Sequence, residues 1–235
     1  MTEFQNLIDS AVSRRDMPYA VAMVADRSGI VWEGAAGNSS DGVAAGSNSL
    51  FRLFSMTKGI GSLAVLIMID RGQLSIDTRV ADILPDFAKL EVFESMGPDG
   101  PGTRPARTEA TLRHLLTHTS GLAYEAFNEK MYLLQNSTGL RDYLVAGTIS
   151  SLSTPLMFDP GDSWTYGTGL DWAGYMVQVI DGRSIDQFCK EEVLGPLKMN
   201  NTAFEPDEVG LIRFDGQPSS LDHATSSATR QYCAS

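Results

Sequence analysis

Cysteine is scarce in this chain. The two residues, Cys189 and Cys233, lie far apart among 235. One falls in a helix-like stretch and one in a polar tail, which excludes a disulfide scaffold. Basic charge is also short, with 18 Lys and Arg against 29 Asp and Glu, a net charge of −11. No Lys/Arg run reverses this locally, so nucleic acid is not an expected partner. Long hydrophobic runs are missing. The longest, Gly59 to Ile69, is far shorter than the ~20 residues that span a bilayer. The opening Met1-Thr2-Glu3-Phe4-Gln5 has neither the basic start nor the apolar run of a signal peptide. A soluble, cytoplasmic protein without membrane contact is the expectation. The 22 glycines and 10 prolines are too few for a collagen-like or linker-dominated chain. With 43% hydrophobic and 20% charged residues, the composition is that of a folded globular protein with a sizeable core.

Phe4, Leu7, Ile8, Ala11 and Val12 recur at helical spacing and predict an amphipathic opening helix. Tyr19–Ala25 and Ile30–Ala36 flank the turn Asp26-Arg27-Ser28-Gly29 and predict a β-hairpin over 19–36. Residues 38–49 read as a Gly/Ser/Asn-rich loop. From Met56 to Arg71 the pattern is helical and apolar nearly all round, the signature of a buried central helix, and Gly72 stops it. Residues 97–107 read as an irregular surface loop. Thr111 can cap a short helix, Leu112 to Thr117. Further helices are expected over Tyr124–Gln135, near Leu140, over Leu170–Ile180, and from a Ser184 cap to about Val193. Beyond Pro206 the composition turns to Ser, Thr, Ala and Gln with weak periodicity.

The sharpest chemical signal is Ser55-Met56-Thr57-Lys58, an S-x-x-K sequence at a helix start. Residues three apart on a helix share a face, with Cβ atoms about 5–6 Å apart, so Lys58 can reach the Ser55 hydroxyl. Helix N-terminal amides favour negative charge developing there. Serine is a weak nucleophile and needs a base. A free lysine is protonated at neutral pH, whereas burial disfavours its charged form. A lysine in an otherwise apolar helix is costly without a compensating partner, and that cost points to function at Lys58. Alone, S-x-x-K is a common coincidence in which the lysine snorkels outward. Tyr166, in Trp164-Thr165-Tyr166-Gly167-Thr168, follows a Pro-Gly turn and precedes a helix. A tyrosine beside a cationic lysine loses its proton more readily and could relay it from serine to leaving group. Taken alone, Tyr166 reads as a packed aromatic with its hydroxyl satisfied.

Other signals carry less. His114 and His118 are spaced as in a zinc helix, but Leu115 stands where H-E-x-x-H has its glutamate. They read as packing and loop-anchoring residues, and no metal or cofactor is expected. Gly161-Asp162-Ser163 lacks a preceding strand and reads as a turn. Gly97–Gly102 has no Gly-Lys-Ser/Thr and is no phosphate loop. The absence of Gly-x-Ser-x-Gly disfavours an α/β-hydrolase. Trp164, Trp172 and Tyr124 are candidates to line a pocket, with core packing the better reading for Trp172.

Ser-x-x-Lys, then His114-Leu115-Leu116-Thr117-His118-Thr119-Ser120-Gly121-Leu122, then Asp159-Pro160-Gly161 followed by Tyr166-Gly167-Thr168, resemble in this order the serine β-lactamase-related family. The similarity is to class C β-lactamases and to family VIII carboxylesterases and transesterases. Ile69-Asp70-Arg71-Gly72-Gln73-Leu74-Ser75-Ile76-Asp77 and Gly195-Pro196-Leu197-Lys198-Met199-Asn200-Asn201-Thr202 agree with it. The resemblance covers residues 5–206. It implies an α+β, β-lactamase/penicillin-binding-protein-like fold, an antiparallel sheet flanked by helices together with a helical region. It implies Ser55 as nucleophile, Lys58 as its base and hydrogen-bond partner, and Tyr166 as general acid/base. Thr168, Tyr124 and Trp164 are the candidate substrate-binding residues. Thr168 stands where β-lactamases often carry asparagine, which tilts the expectation toward a carboxylesterase acting on small esters through an acyl-enzyme. A β-lactamase, D-peptidase or acyl transferase stays open, with an ester or amide as substrate.

The family's third motif, Lys/His/Trp-x-Gly on a later strand, has no counterpart after Tyr166. Trp32-Glu33-Gly34 has the letters but lies on the early hairpin. The expectation is a partial, C-terminally truncated domain over 1–206, made of the N-terminal helix, the hairpin 19–36 and a helical region 55–206, followed by an atypical polar tail over 207–235. Its sheet would be incomplete, with exposed edges open to self-association. A catalytically inactive relative that binds acyl compounds is the alternative from another class.

Overall fold

The computed structural model describes residues 2–40, 42–138 and 152–204. The helix expected near Leu140 and the tail expected over 207–235 lie outside them. The described residues fall into two units, 2–53 and 54–204.

In the first unit, α1 (Thr2–Ser13) is amphipathic, as its apolar spacing predicts. It lies on β2 through a Phe4–Trp32 ring contact at 5.4 Å and a hydrogen bond from Gln5 Nε2 to the Ala35 carbonyl at 3.0 Å. The hairpin forms as expected, β1 (Tyr19–Asp26) against β2 (Gly29–Ser40), in antiparallel register from Tyr19 opposite Gly37 to Asp26 opposite Gly29. The Asp26 side chain closes the turn by accepting from the Ser28 amide at 2.7 Å, the local bond that Asp offers at turns. One expectation is corrected. Residues 38–40 continue β2 and pair with a short β3 (Val43–Ala44), giving the sheet order β1-β2-β3. Backbone pairing overrides the glycine- and serine-rich composition there.

The second unit is built around a core. α2 (Thr57–Asp70) buries Ala64, Val65 and Met68 but leaves Leu63 and Leu66 exposed. It is thus one-sided rather than buried all round. Gly72 follows it at φ +68°, the left-handed stop that glycine supplies. After α3 (Val80–Ile83) comes a second correction. Residues 97–104 are not irregular: β4 (Val92–Gly97) and β5 (Gly100–Arg104) form a hairpin around Pro98-Asp99. A Pro-Asp-Gly turn between paired segments is itself a hairpin signal, and Pro101 is tolerated where a strand has a free edge.

α4 (Leu112–Leu116) starts as predicted at Thr111, whose amide donates to His114 Nδ1 at 3.1 Å. The helix expected over 124–135 is split into a single turn, Glu125–Phe127, and α5 (Glu129–Thr138). Asn128 makes the break, its Oδ1 accepting the Met131 amide at 3.2 Å as an N-cap does. α6 (Gly169–Asp181) packs on α2 and α4 and ends at Gly182, φ +86°. α7 (Ile185–Cys189) runs into a wider π turn, Lys190–Leu194. Trp172 sits fully buried in the centre, edge-on to Phe87 with ring centroids 5.0 Å apart. Met68, Leu112, Leu115, Met176 and Phe188 belong to the same apolar cluster.

Candidate active site

The S-x-x-K sequence lies where the chain enters α2. Phe54–Met56 form a tight turn, and the helix begins at Thr57. Phe54 has φ +46°, a left-handed conformation that costs a bulky residue roughly 1–3 kcal/mol. That strained residue directly precedes Ser55, which is exposed at the head of the helix. Lys58, in the first turn, is half-buried.

Lys58 Nζ donates a hydrogen bond to the Tyr124 hydroxyl at 3.2 Å. It also lies 5.0 Å from the centroid of the Tyr166 ring and 5.3 Å from that of Tyr124, within reach of both aromatic quadrupoles. The two tyrosine rings are 5.4 Å apart. His118 and Phe127 complete the enclosure of Tyr166, with centroids at 4.7 and 5.1 Å.

The backbone makes this arrangement rigid. The Tyr124 amide donates to the Tyr166 carbonyl at 3.1 Å, and the Thr165 amide to the His118 carbonyl at 3.0 Å. Gly161 is tied to Thr119, and Met157 to Gly121, in the same way. Gly167 is required by close approach, because an added Cβ would stand 2.1 Å from the Leu122 carbonyl oxygen. Asp159, in the turn leading to Tyr166, is buried and takes a two-pronged ion pair from Arg104 at 2.9 and 2.6 Å and the Arg107 amide at 2.7 Å. Those hydrogen bonds, Arg104's first, hold its carboxyl down at about 2. The tyrosine loop is thereby pinned to β5.

His118 has φ +58°. Its Nδ1 faces the Gly167 amide at 3.4 Å. Burial, then the charge of Lys58, lowers its pKa, which suits a neutral ring accepting that amide. His114 and His118 thus do the packing and loop-anchoring expected of them. Among the described residues no group of His, Cys, Asp and Glu is arranged to hold a metal ion.

Of the expected site residues, Lys58, Tyr124 and Tyr166 come together. Ser55 stands in the tight turn just before the helix that carries Lys58, and the hydrogen bond expected between them is not formed among the described residues. Trp164 is exposed and faces the His118 ring edge-on at 6.2 Å. Thr168 is only 1% exposed, its hydroxyl enclosed at the head of α6. It stands where α6 begins, directly after the Tyr166-Gly167 turn.

Sequence reasoning overlooked Asp171. It lies in the first turn of α6 with Oδ2 sealed from solvent and unpaired. Burial pushes its carboxyl up from the ordinary value, while the Lys58 charge, its own amide and a hydrogen bond from Tyr124 pull the other way. An acidic residue between Leu170 and Trp172 in an apolar helix was the available signal, by the same cost that marks Lys58.

Comparison with known proteins fits this arrangement. The model of the Beta-lactamase family matches residues 4–232. The chain belongs to that family. Esterase EstB of Burkholderia gladioli is 34% identical over 223 residues, 90% of this chain and 54% of EstB. Acyltransferase mokF of Monascus pilosus is 34% identical over 155 residues, 66% of this chain and 38% of mokF. A mutant of simvastatin synthase LovD from Aspergillus terreus superposes with a TM-score of 0.76 at 28% identity, over 90% of this chain and 56% of the other. This beta-lactamase-family chain therefore spans about two fifths to little more than half the length of these relatives. The fold expected from the sequence, helices with antiparallel sheets of the β-lactamase/penicillin-binding type, is the observed one. Among the described residues no helix is long and apolar enough to cross a membrane.

Proposed function

We propose that this chain carries the acyl-transfer centre of a serine esterase or acyltransferase, with Ser55 as nucleophile and Lys58 and Tyr166 as its proton-handling partners. The observation that carries this reading is the convergence of Lys58 on Tyr124 and Tyr166 one helical turn after the strained Phe54–Ser55 turn. Membership of a family that includes an esterase and acyltransferases supports it.

In the reaction, Ser55 Oγ attacks the carbonyl carbon of an ester. The serine proton passes to the Lys58–Tyr166 pair. The C–O bond to the alcohol breaks, and the leaving alkoxide takes that proton. Water or a second alcohol then attacks the acyl-enzyme, gives up a proton to the same pair, and releases acid or new ester while Ser55 is reprotonated. On this reading, the partial positive charge of the backbone amides at the head of α2 stabilises negative charge developing near Ser55. Phe54, Met56, Phe127 and Trp164 are all largely exposed, and such side chains suit an apolar acyl or alcohol group better than a charged one. The reading is therefore a small-ester substrate, handled in a soluble, cytoplasmic setting, with Tyr124 and Trp164 contacting it. Thr168 contributes through the loop behind.

Nitrophenyl butyrate turnover tests this. Activity is expected to fall by at least about 10³-fold in Ser55→Ala and about 10²-fold or more in Tyr166→Phe. Undiminished activity in Ser55→Ala would remove Ser55 from the mechanism. Relatives named as acyltransferases and as an esterase keep transfer and hydrolysis both in play. Adding an alcohol acceptor and measuring the ester formed against free acid separates them.

A further inference from the structure

Asp171 has no place in the mechanism so far. Its carboxyl is hydrogen-bonded by the Tyr124 side chain and feels the charge of Lys58, although it lies on a different helix from Lys58 and on a different segment from Tyr124. Its Oδ2 is enclosed and lacks a hydrogen-bond partner, an arrangement that costs stability and that a purely structural residue has no reason to keep. The groups acting on it from the elements packed around it are Lys58 of α2 and Tyr124. Those acting on Lys58 are Tyr124, Tyr166, His118 and Asp171.

Hydrogen-bond polarity connects them. A phenol has one proton to give, while an ionised carboxylate can only accept. If Tyr124 gives its proton to Asp171, its oxygen is left to accept from Lys58, as the 3.2 Å contact requires. An apolar residue at 171 leaves the Tyr124 proton without that acceptor, and an amide or protonated carboxyl holds it more weakly than a carboxylate does, so the proton can turn toward Lys58 and loosen the contact.

We propose that Asp171 is a positioning residue of the Ser55 centre, its carboxylate holding the Tyr124 hydroxyl as an acceptor toward Lys58 and so keeping the lysine aimed between Tyr124 and Tyr166. This rests on the proposed role of Ser55. Asp171 touches no substrate. It acts through Tyr124, and its loss loosens the geometry of the reacting groups, where displacements near 1 Å cost about 10²-fold.

The test is the rate at which a fluorescent alkyl fluorophosphonate labels Ser55 in the full chain. Ser55 Oγ forms the O–P bond, fluoride leaves with the serine proton, and no turnover is needed. Asp171→Asn is expected to lower the limiting labelling rate about 10- to 100-fold, leave half-saturation within about twofold, and leave Tm unchanged or raised, since a costly buried charge is gone. Tyr124→Phe is expected to do the same to the rate, and the double variant to be no slower than the slower single one. In wild type the rate should fall as pH drops through the raised titration of Asp171. Asp171→Asn, which stays neutral, should run at the low-pH level throughout and lack that limb. A rate within twofold of wild type in either single variant, independent effects in the double, or the same acid limb in Asp171→Asn overturns the proposal. A wild-type chain that takes no label overturns the reading of Ser55 itself, a result distinct from a labelled wild type with an indifferent Asp171.

Discussion

The two units hold their apolar residues in opposite ways. Among the described residues of 2–53 no hydrophobic side chain is buried, and Phe4, Leu7, Met23, Ile30, Val31 and Val43 are all exposed. In 54–204, Trp172, Phe188, Met68, Leu112, Leu115, Leu122 and Met176 are sealed from solvent. The first unit rests on backbone pairing and a few contacts of α1, such as Phe4 on Trp32. The second rests on close packing, which places side chains to within fractions of an ångström. Every residue of the candidate site belongs to the second unit. A centre that must hold a lysine side chain against two phenol rings needs positions locked by a core, and the helix that carries Lys58 and directly follows Ser55 is anchored there through Ala64, Val65 and Met68.

The comparison can be broken most forcefully at Trp172. Trp172→Ala empties the centre of the packed unit and should cost about 3–5 kcal/mol in urea unfolding. A loss below 1 kcal/mol would show that the core does not carry the unit. Gly167→Ala comes next. Its Cβ meets the Leu122 backbone, so about 1–3 kcal/mol should be lost, together with labelling of Ser55, because the change separates the Tyr166 loop from Tyr124. Retained stability and labelling would mean that the loops are not locked together.

Asp159 gives a smaller effect with a pH signature. Its folded pKa, about 2, lies below the ordinary value near 3.9. Its stabilisation is thus complete above the unfolded value and is lost as pH falls through the folded one. Asp159→Asn should lower Tm at pH 7, and the gap from wild type should close between about pH 4 and pH 2. A gap independent of pH would assign Asp159 a packing role only. The smallest effect is expected in the sheet, where Ile30→Ala or Val31→Ala should change stability by no more than about 0.5 kcal/mol. A loss comparable to that at Trp172 would show that this face is covered.

The sequence made the hairpin 19–36 legible because alternation and a turn of Asp-Arg-Ser-Gly agree. It made α2, α4 and α6 legible because their apolar periodicity and end signals agree. The S-x-x-K spacing marked Ser55 and Lys58, although Ser55 lies in the turn before the helix rather than on it. Tyr166 needed the ordered motifs around it, since one aromatic says little by itself. What stayed hidden depends on tertiary contact. The β4–β5 hairpin was masked by its glycines and prolines, whose turn chemistry outweighs their poor strand preference. The exposed side of α2, with Leu63 and Leu66, cannot be told from a buried one by composition. Asp171 acquires meaning only when folding brings it against Tyr124 and within the field of Lys58, 47 residues from the first and more than a hundred from the second. Thr168 had the right motif position, but its side chain is buried where α6 begins and makes no capping hydrogen bond.

Intact-protein mass spectrometry after reaction with the fluorophosphonate bears most directly on Ser55 as the nucleophile. The expected result is one adduct per chain, mapped by proteolysis to the peptide containing Ser55, absent in Ser55→Ala and much slower in Tyr166→Phe. An unmodified wild-type chain, or an adduct that persists in Ser55→Ala, would contradict it.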